Sequence, residues 1–154
     1  MADEMERYTW DGQPISRELP HGVSVVVYRR TPKWLLLLLH RAHNGADYDG
    51  DWAWTPPSGA RHPGEAVHDA ARRELYEEAG LSLCLQPTPL GTAEWSLYVA
   101  EAHDQDFVVL VDPEHDRYVW VTPEEAVRRV EPAVVKDSLI RAVNFLQTQN
   151  QGQN

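Results

Sequence analysis

The sequence predicts a layered α/β or α+β fold, a mixed sheet with helices on its faces, and three observations carry this. Short runs of β-branched and aliphatic residues recur between turn residues, one long Gly- and Pro-free stretch interrupts them, and two helical stretches close the chain. Val23-Ser24-Val25-Val26-Val27-Tyr28 is dense in β-branched residues and reads as a strand. Thr31-Pro32-Lys33 turns the chain. Trp34–His40 returns as a strand buried on both faces, because its leucines do not alternate with polar residues. His43–Asp51 is loop by composition, and Trp52–Thr55 is a short strand ended by Pro56-Pro57-Ser58-Gly59. Glu65–Ala79, rich in Ala, Glu, Arg and Leu, is a helix with Gly80 as its stop. Further strands are expected at Ala93–Glu101, Phe107–Val111 and Arg117–Val121. Helices are expected at Pro123–Val130 and Ala133–Gln147, parted by Pro132, with Val135, Leu139, Val143 and Leu146 as the apolar stripe of the second. Residues 1–20 form a polar extended arm with room for one short edge strand, residues 21–147 the domain, and residues 148–154 a disordered tail.

Composition narrows the function. With 154 residues, 42% apolar and 25% charged, the chain suits one folded domain and excludes disordered and coiled-coil classes. The 24 acidic residues against 14 basic ones leave a net charge of −10, which repels nucleic-acid backbone and anionic lipid. Neither nucleic acid nor membrane is an expected partner, and a polyphosphate ligand would need positive charge from elsewhere. Cys84 is the single cysteine, so no internal disulfide forms and a reducing compartment is implied. The first six residues lack a basic flank and an apolar stretch, and Trp34–Leu39 is far too short to span a bilayer. A cytoplasmic location is expected.

The chemistry lies on the Glu65–Ala79 helix. At about 100° per residue, Val67, Ala70, Ala71 and Leu75 share one face, and Glu74 and Glu78 fall in the middle of it. Glu77 lies on its border beside Arg73. Surface helices keep carboxylates on the opposite side. Carboxylates roughly 5 Å apart repel by about 3 kcal/mol per pair at an effective dielectric of ~20, and the last helical turn disfavours negative charge further. Several such pairs rival the ~5–15 kcal/mol stability of a domain. The cluster therefore has to be protonated or neutralised by cations. Arg73 offsets part of it by pairing with Glu77 at i+4, but cannot neutralise three carboxylates. Oxygen-only ligands select hard ions, so Mg²⁺ or Mn²⁺ is the expected cofactor, and it would also supply the missing charge for a polyphosphate.

Gly59, Glu65, Arg73-Glu74-Leu75, Glu77-Glu78 and Gly80-Leu81 fill the pattern G-x5-E-x7-R-E-U-x-E-E-x-G-U, with U a bulky aliphatic residue. This resembles the Nudix signature at every required position. The resemblance implies a Nudix-type α/β/α sandwich with a mixed sheet, and hydrolysis of a nucleoside diphosphate linked to another moiety. It implies metal ligation by Glu74, Glu77 and Glu78 with help from the Gly59 carbonyl, an orienting role for Arg73, and Glu65 as a brace of the loop. A further carboxylate from the second half of the fold often completes such sites or serves as base, and Glu114 is similar in position to it. The expected catalytic residues are thus Arg73, Glu77, Glu78 and Glu114.

Trp52-Ala53-Trp54-Thr55-Pro56-Pro57-Ser58-Gly59, Glu114-His115 and Tyr118-Val119-Trp120 look like the corresponding stretches of asymmetric diadenosine tetraphosphate hydrolases. Those enzymes usually carry Lys and His around the motif glycine, where this chain has Ser58 and Ala60. The second half is also similar to nucleoside triphosphate and dihydroneopterin triphosphate pyrophosphohydrolases. The expected partner is a small nucleotide, with Trp54, Trp95, Tyr98 and Tyr118 as candidate base-stacking residues; a homodimer is left open. Core packing is the competing role for Trp52, Trp54, Trp95 and Trp120. Zinc is disfavoured because His40, His43, His62 and His68 form no regular ligand set with a cysteine. The alternative function is a nucleotide-sensing module of the same fold without turnover, which an intact signature argues against. Isomerase chemistry lacks a cysteine near the strands that would supply it.

Overall fold

Side-chain alternation on the central strands builds two cores at once. The computed structural model describes residues 7–9 and 11–151. β1 (Arg7–Tyr8) and β2 (Pro14–Ile15) pair as a separate ribbon. The main sheet holds β3 (Gly22–Arg29), β4 (Leu35–Arg41), β5 (Trp54–Thr55), β6 (Ser58–Ala60), β7 (Gln86–Pro87), β8 (Trp95–Glu101) and β9 (His115–Val121). Its faces are covered by α1 (Val67–Ala79) on one side and by α2 (Pro123–Arg129) and α3 (Ala133–Gln151) on the other. β3 and β8 are parallel and the other pairs antiparallel, which makes the sheet mixed.

Val23, Val25, Val27, Leu37, Leu39, Tyr98 and Ala100 face α1, where Ala70, Ala71 and Leu75 meet them. Val26, Leu36, Leu38, Leu97 and Val99 face the opposite layer, against Ala126, Leu139, Ala142 and Leu146. A period of two on a strand buried on both faces therefore explains the unbroken leucine run of β4. Thr122 caps α2 by accepting from the Glu125 amide, with Pro123 at the first helical position. Gly80 ends α1 at φ 69°, and its missing side chain leaves room for the Val109 backbone beside it.

The sheet is forked, and the fork positions the site. β3 and β4 pair only at Tyr28 with Leu36 and Arg29 with Leu35 before they diverge. β6 then pairs with β3, from Gly22 with Ala60 to Ser24 with Ser58, while β5 pairs with β4. Pro56 and Pro57 sit between the two short strands, where ladder donors are not needed.

Several elements differ from the expectation. The arm contributes a hairpin of its own instead of an edge strand; it docks through the Ser16 amide on the Arg61 carbonyl (2.7 Å) and through Arg61 on Pro20 and Glu18. Residues 1–6, part of the predicted arm, lie outside the described residues. Trp52 sits at φ 66°, off the extended backbone, so only Trp54–Thr55 is strand. Glu65 precedes α1 in the loop. Phe107–Val111 forms no strand: Val108 and Leu110 pack inward and Phe107, Val109 and Val111 face out, as alternation predicts. The nearby β8, however, already pairs with β3 and β7 on its two edges, so this run lies along α1, with the Val109 amide on the Ala79 carbonyl. α3 continues through residues 148–151 of the expected disordered tail, while residues 152–154 lie outside the described residues.

Candidate active site

α1 delivers its carboxylates to the foot of the fork. Glu74 and Glu78 are buried, Glu78 at 3% exposure, and Glu77 is exposed. The Ser58 amide donates to a Glu78 oxygen at 2.8 Å. Gly59 lies so close to Glu74 that a Cβ there would fall 2.2 Å from its carboxyl carbon. Only glycine leaves that carboxylate its place, which is a physical reason for glycine at the first motif position.

Arg73 is the hub. Its guanidinium donates to both Glu65 oxygens at 2.8 and 2.9 Å, to Glu74 at 2.9 Å, to Glu77 at 3.1 Å and to the Ala60 carbonyl at 2.9 Å. Glu65 also accepts from the His62 amide at 3.0 Å, so it ties the loop to the helix. Burial pulls the Glu65 carboxyl upward, but Arg73 and the His62 amide outweigh it and hold it below its ordinary value. Glu74 has only part of that support: burial raises it to about 7 against the pull of Arg73, with Glu77 and Glu114 pushing further. Glu78 is raised well above the usual range by burial, then by Glu74 and Glu114. The protein without a cation meets the charge excess by protonation.

Glu114, from the turn before β9, joins this group, with an Arg41 nitrogen 3.8 Å from its carboxylate. Oxygens of Glu78 and Glu114 and a ring nitrogen of His115 lie within 4.8 Å of one another, close enough to converge on one ion. The residues present thus fit a divalent cation: crowded carboxylates short of positive charge, and a glycine cradle that a Cβ would fill. Glu74 meets this set at the same fork, while Glu77 projects outward from it.

A cleft of about 990 Å³ opens over the carboxylates and is lined from both layers. Of the four predicted stacking residues, Trp95 lines it; at 38% exposure, its indole nitrogen donates to the Ser24 hydroxyl (2.6 Å) and its ring covers Gly22. The other three do not. Trp54 is core: its indole donates to Asp49 and its ring lies against His40 between the Arg117 and Arg129 guanidiniums. Tyr98 is buried under α1 beside His68, because its position on β8 faces that layer. Tyr118 is exposed on β9 outside the cleft lining. Trp52, expected to pack in the core, instead lines the cleft at 45% exposure beside Val134 and Val135 of α3. Its amide bonds the Glu131 carbonyl, and its left-handed backbone costs roughly 1–2 kcal/mol for a bulky residue. Nothing local in the sequence marks that conformation.

A mixed sheet between helical layers, with this motif wrapped on a loop and helix, is the arrangement that residues 18–142 share with the NUDIX domain, whose sequence model they match; the chain belongs to the Nudix family. It is 31% identical over 121 residues to the asymmetrical bis(5'-nucleosyl)-tetraphosphatase of Sus scrofa, covering 71% of this chain and 79% of that protein. An Ap4A hydrolase of C. elegans, solved as a binary complex, superposes with a TM-score of 0.68 at 27% identity over 82% of this chain and 98% of its own. The Nudix hydrolase RenU of M. Smegmatis, at 19% identity, shares the fold with a TM-score of 0.70 over 94% and 96% of the two chains. The chain is a Nudix pyrophosphohydrolase.

Proposed function

We propose that the protein is a Mg²⁺- or Mn²⁺-dependent hydrolase of dinucleoside polyphosphates, cleaving a pyrophosphate bond within the bridging chain. The observation that carries this is one cleft that joins the carboxylate cluster to two exposed tryptophans, Trp52 and Trp95. Its volume lies at the upper end of ordinary ligand sites and suits a substrate larger than one nucleotide. The tetraphosphatase and Ap4A hydrolase relatives support the same substrate class.

Glu74, Glu78 and Glu114, with the Gly59 carbonyl, would hold the cation, and Glu77 would complete the set from the cleft side. When bound, the cation supplies positive charge to the polyphosphate and lowers the pKa of an attacking water. Arg73 fixes Glu74 and Glu77 relative to the loop through its shared bonds with Glu65, so the carboxylates meet the substrate without reorganising. Glu114, which lines the cleft and is only partly buried, would be placed to take the proton of the attacking water through the carboxylate oxygen not given to the cation. Trp95 and Trp52 stack nucleobases. Among the described residues no helix is long and apolar enough to cross a membrane, and a cytoplasmic nucleotide pool belongs to this reading.

The test is a phosphate-release screen with Mg²⁺ or Mn²⁺ over diadenosine polyphosphates, nucleoside triphosphates, ADP-ribose and nucleotide sugars, with Glu78→Gln as control. Preferred turnover of a diadenosine polyphosphate, lost by orders of magnitude in the variant, is the expected result. Nucleotide binding without turnover across the panel would replace it with the sensing module.

A further inference from the structure

His115 occupies a place that simple alternation on its strand would deny it. β9 pairs with β4 in regular register from Val121 opposite Leu36 to Arg117 opposite His40, and then the register shifts so that Arg41 stands opposite His115. Asp116 is the extra residue of this bulge. Cross-strand partners share a face, and Trp120 with Leu37 faces the α1 layer. Tyr118 with Leu39 and, past the bulge, His115 with Arg41 follow on that same side. Without the bulge the strand's period of two would send His115 to the opposite layer. Bulges beside active sites re-aim side chains in this way.

The re-aimed ring lands in the carboxylate cluster. One of its nitrogens lies within 4.8 Å of carboxylate oxygens of both Glu78 and Glu114. The residue is 5% exposed, and its Nδ1 has no hydrogen-bond partner among the described residues. Buried imidazole nitrogens are normally paired, and no described side chain competes with a ligand for this one.

We propose that His115 gives a nitrogen ligand to the divalent cation at Glu78 and Glu114, making a mixed nitrogen–oxygen site that favours Mn²⁺ over Mg²⁺. Imidazole suits transition metals, whereas Mg²⁺ takes oxygen donors almost exclusively. The inference rests on the reading that these carboxylates hold a cation.

The experiment uses the full chain and Mn²⁺ alone. Pulsed electron paramagnetic resonance is recorded on Mn²⁺-loaded protein grown with ordinary and with ¹⁵N-histidine, and on His115→Gln. Calorimetric titrations with Mn²⁺ and Mg²⁺ run alongside. A nitrogen coupling that follows the histidine label and disappears in the variant is expected. Mn²⁺ affinity should fall about tenfold in the variant and Mg²⁺ affinity change by less than about threefold. Stoichiometric Mn²⁺ binding with no histidine coupling in the unaltered protein would overturn the proposal and leave the metal-dependent reading standing; this measurement needs no variant to fold. A coupling that survives in His115→Gln would overturn it as well. No Mn²⁺ binding at all would overturn both readings together.

Discussion

Replacing Glu74 by glutamine tests whether the buried cluster is a charge excess that a cation relieves. The folded, metal-free protein carries Glu74 at about 7, chiefly through burial, against 4.5 for an ordinary glutamate. Between those values the folded state binds more protons than the unfolded chain, so this group's stabilisation is complete below about pH 4.5 and is lost as pH rises through about 7. At about 1.36 kcal/mol per pH unit, the loss amounts to about 3 kcal/mol. Glu78 acts with the same sign. His115 acts with the opposite one: lowered to about 4 by burial, it adds stability as pH rises from there to about 6.5. The wild-type curve therefore mixes two slopes, and subtracting the curve of Glu74→Gln removes the His115 part. Urea unfolding in a chelator from about pH 5 to about pH 8 should show the variant gaining on the wild type by about 3 kcal/mol. Excess Mn²⁺ should reverse the order at the alkaline end, because the cation binds only the charged carboxylate. Parallel curves in chelator would refute the buried-charge argument.

Gly59→Ala should separate fold from site. The new methyl falls on the Glu74 carboxyl, which can swing aside, so stability drops by about 1 kcal/mol while turnover falls about a hundredfold; unchanged turnover would show that Glu74 need not sit there. Trp52→Ala and Trp95→Ala should each raise KM for a diadenosine polyphosphate about tenfold with kcat held within about twofold, as steady-state kinetics would reveal. Trp54→Ala should instead cost about 3–5 kcal/mol in urea unfolding and leave KM alone, since that ring fills core between Arg117 and Arg129.

The features legible in the chain alone follow from short-range physics. The valines of β3 and leucines of β4 announce strands through shape and apolarity, Gly80 announces a helix end, and a helical wheel brings Glu74 and Glu78 onto the buried face with no reference to the rest of the chain. The motif spacing carries Gly59 and Glu65 along with them, because loop and helix are contiguous. Tertiary structure alone decided the matters that depend on partners distant in sequence. Phe107–Val111 alternates like a strand, yet the nearby β8 is already paired on both edges and the run lies along α1 instead. Trp54 and Tyr98 look as available for stacking as Trp95, but Tyr98 faces the α1 layer, and Trp54, on the same side of the sheet as Trp95, is enclosed by Asp49, His40 and two arginines. Trp52 reaches the cleft through a left-handed backbone that its neighbours in sequence do not require. His115 joins Glu78 because a bulge shifts one strand by a residue, and the parity of a strand is set by its pairing, which no local pattern encodes.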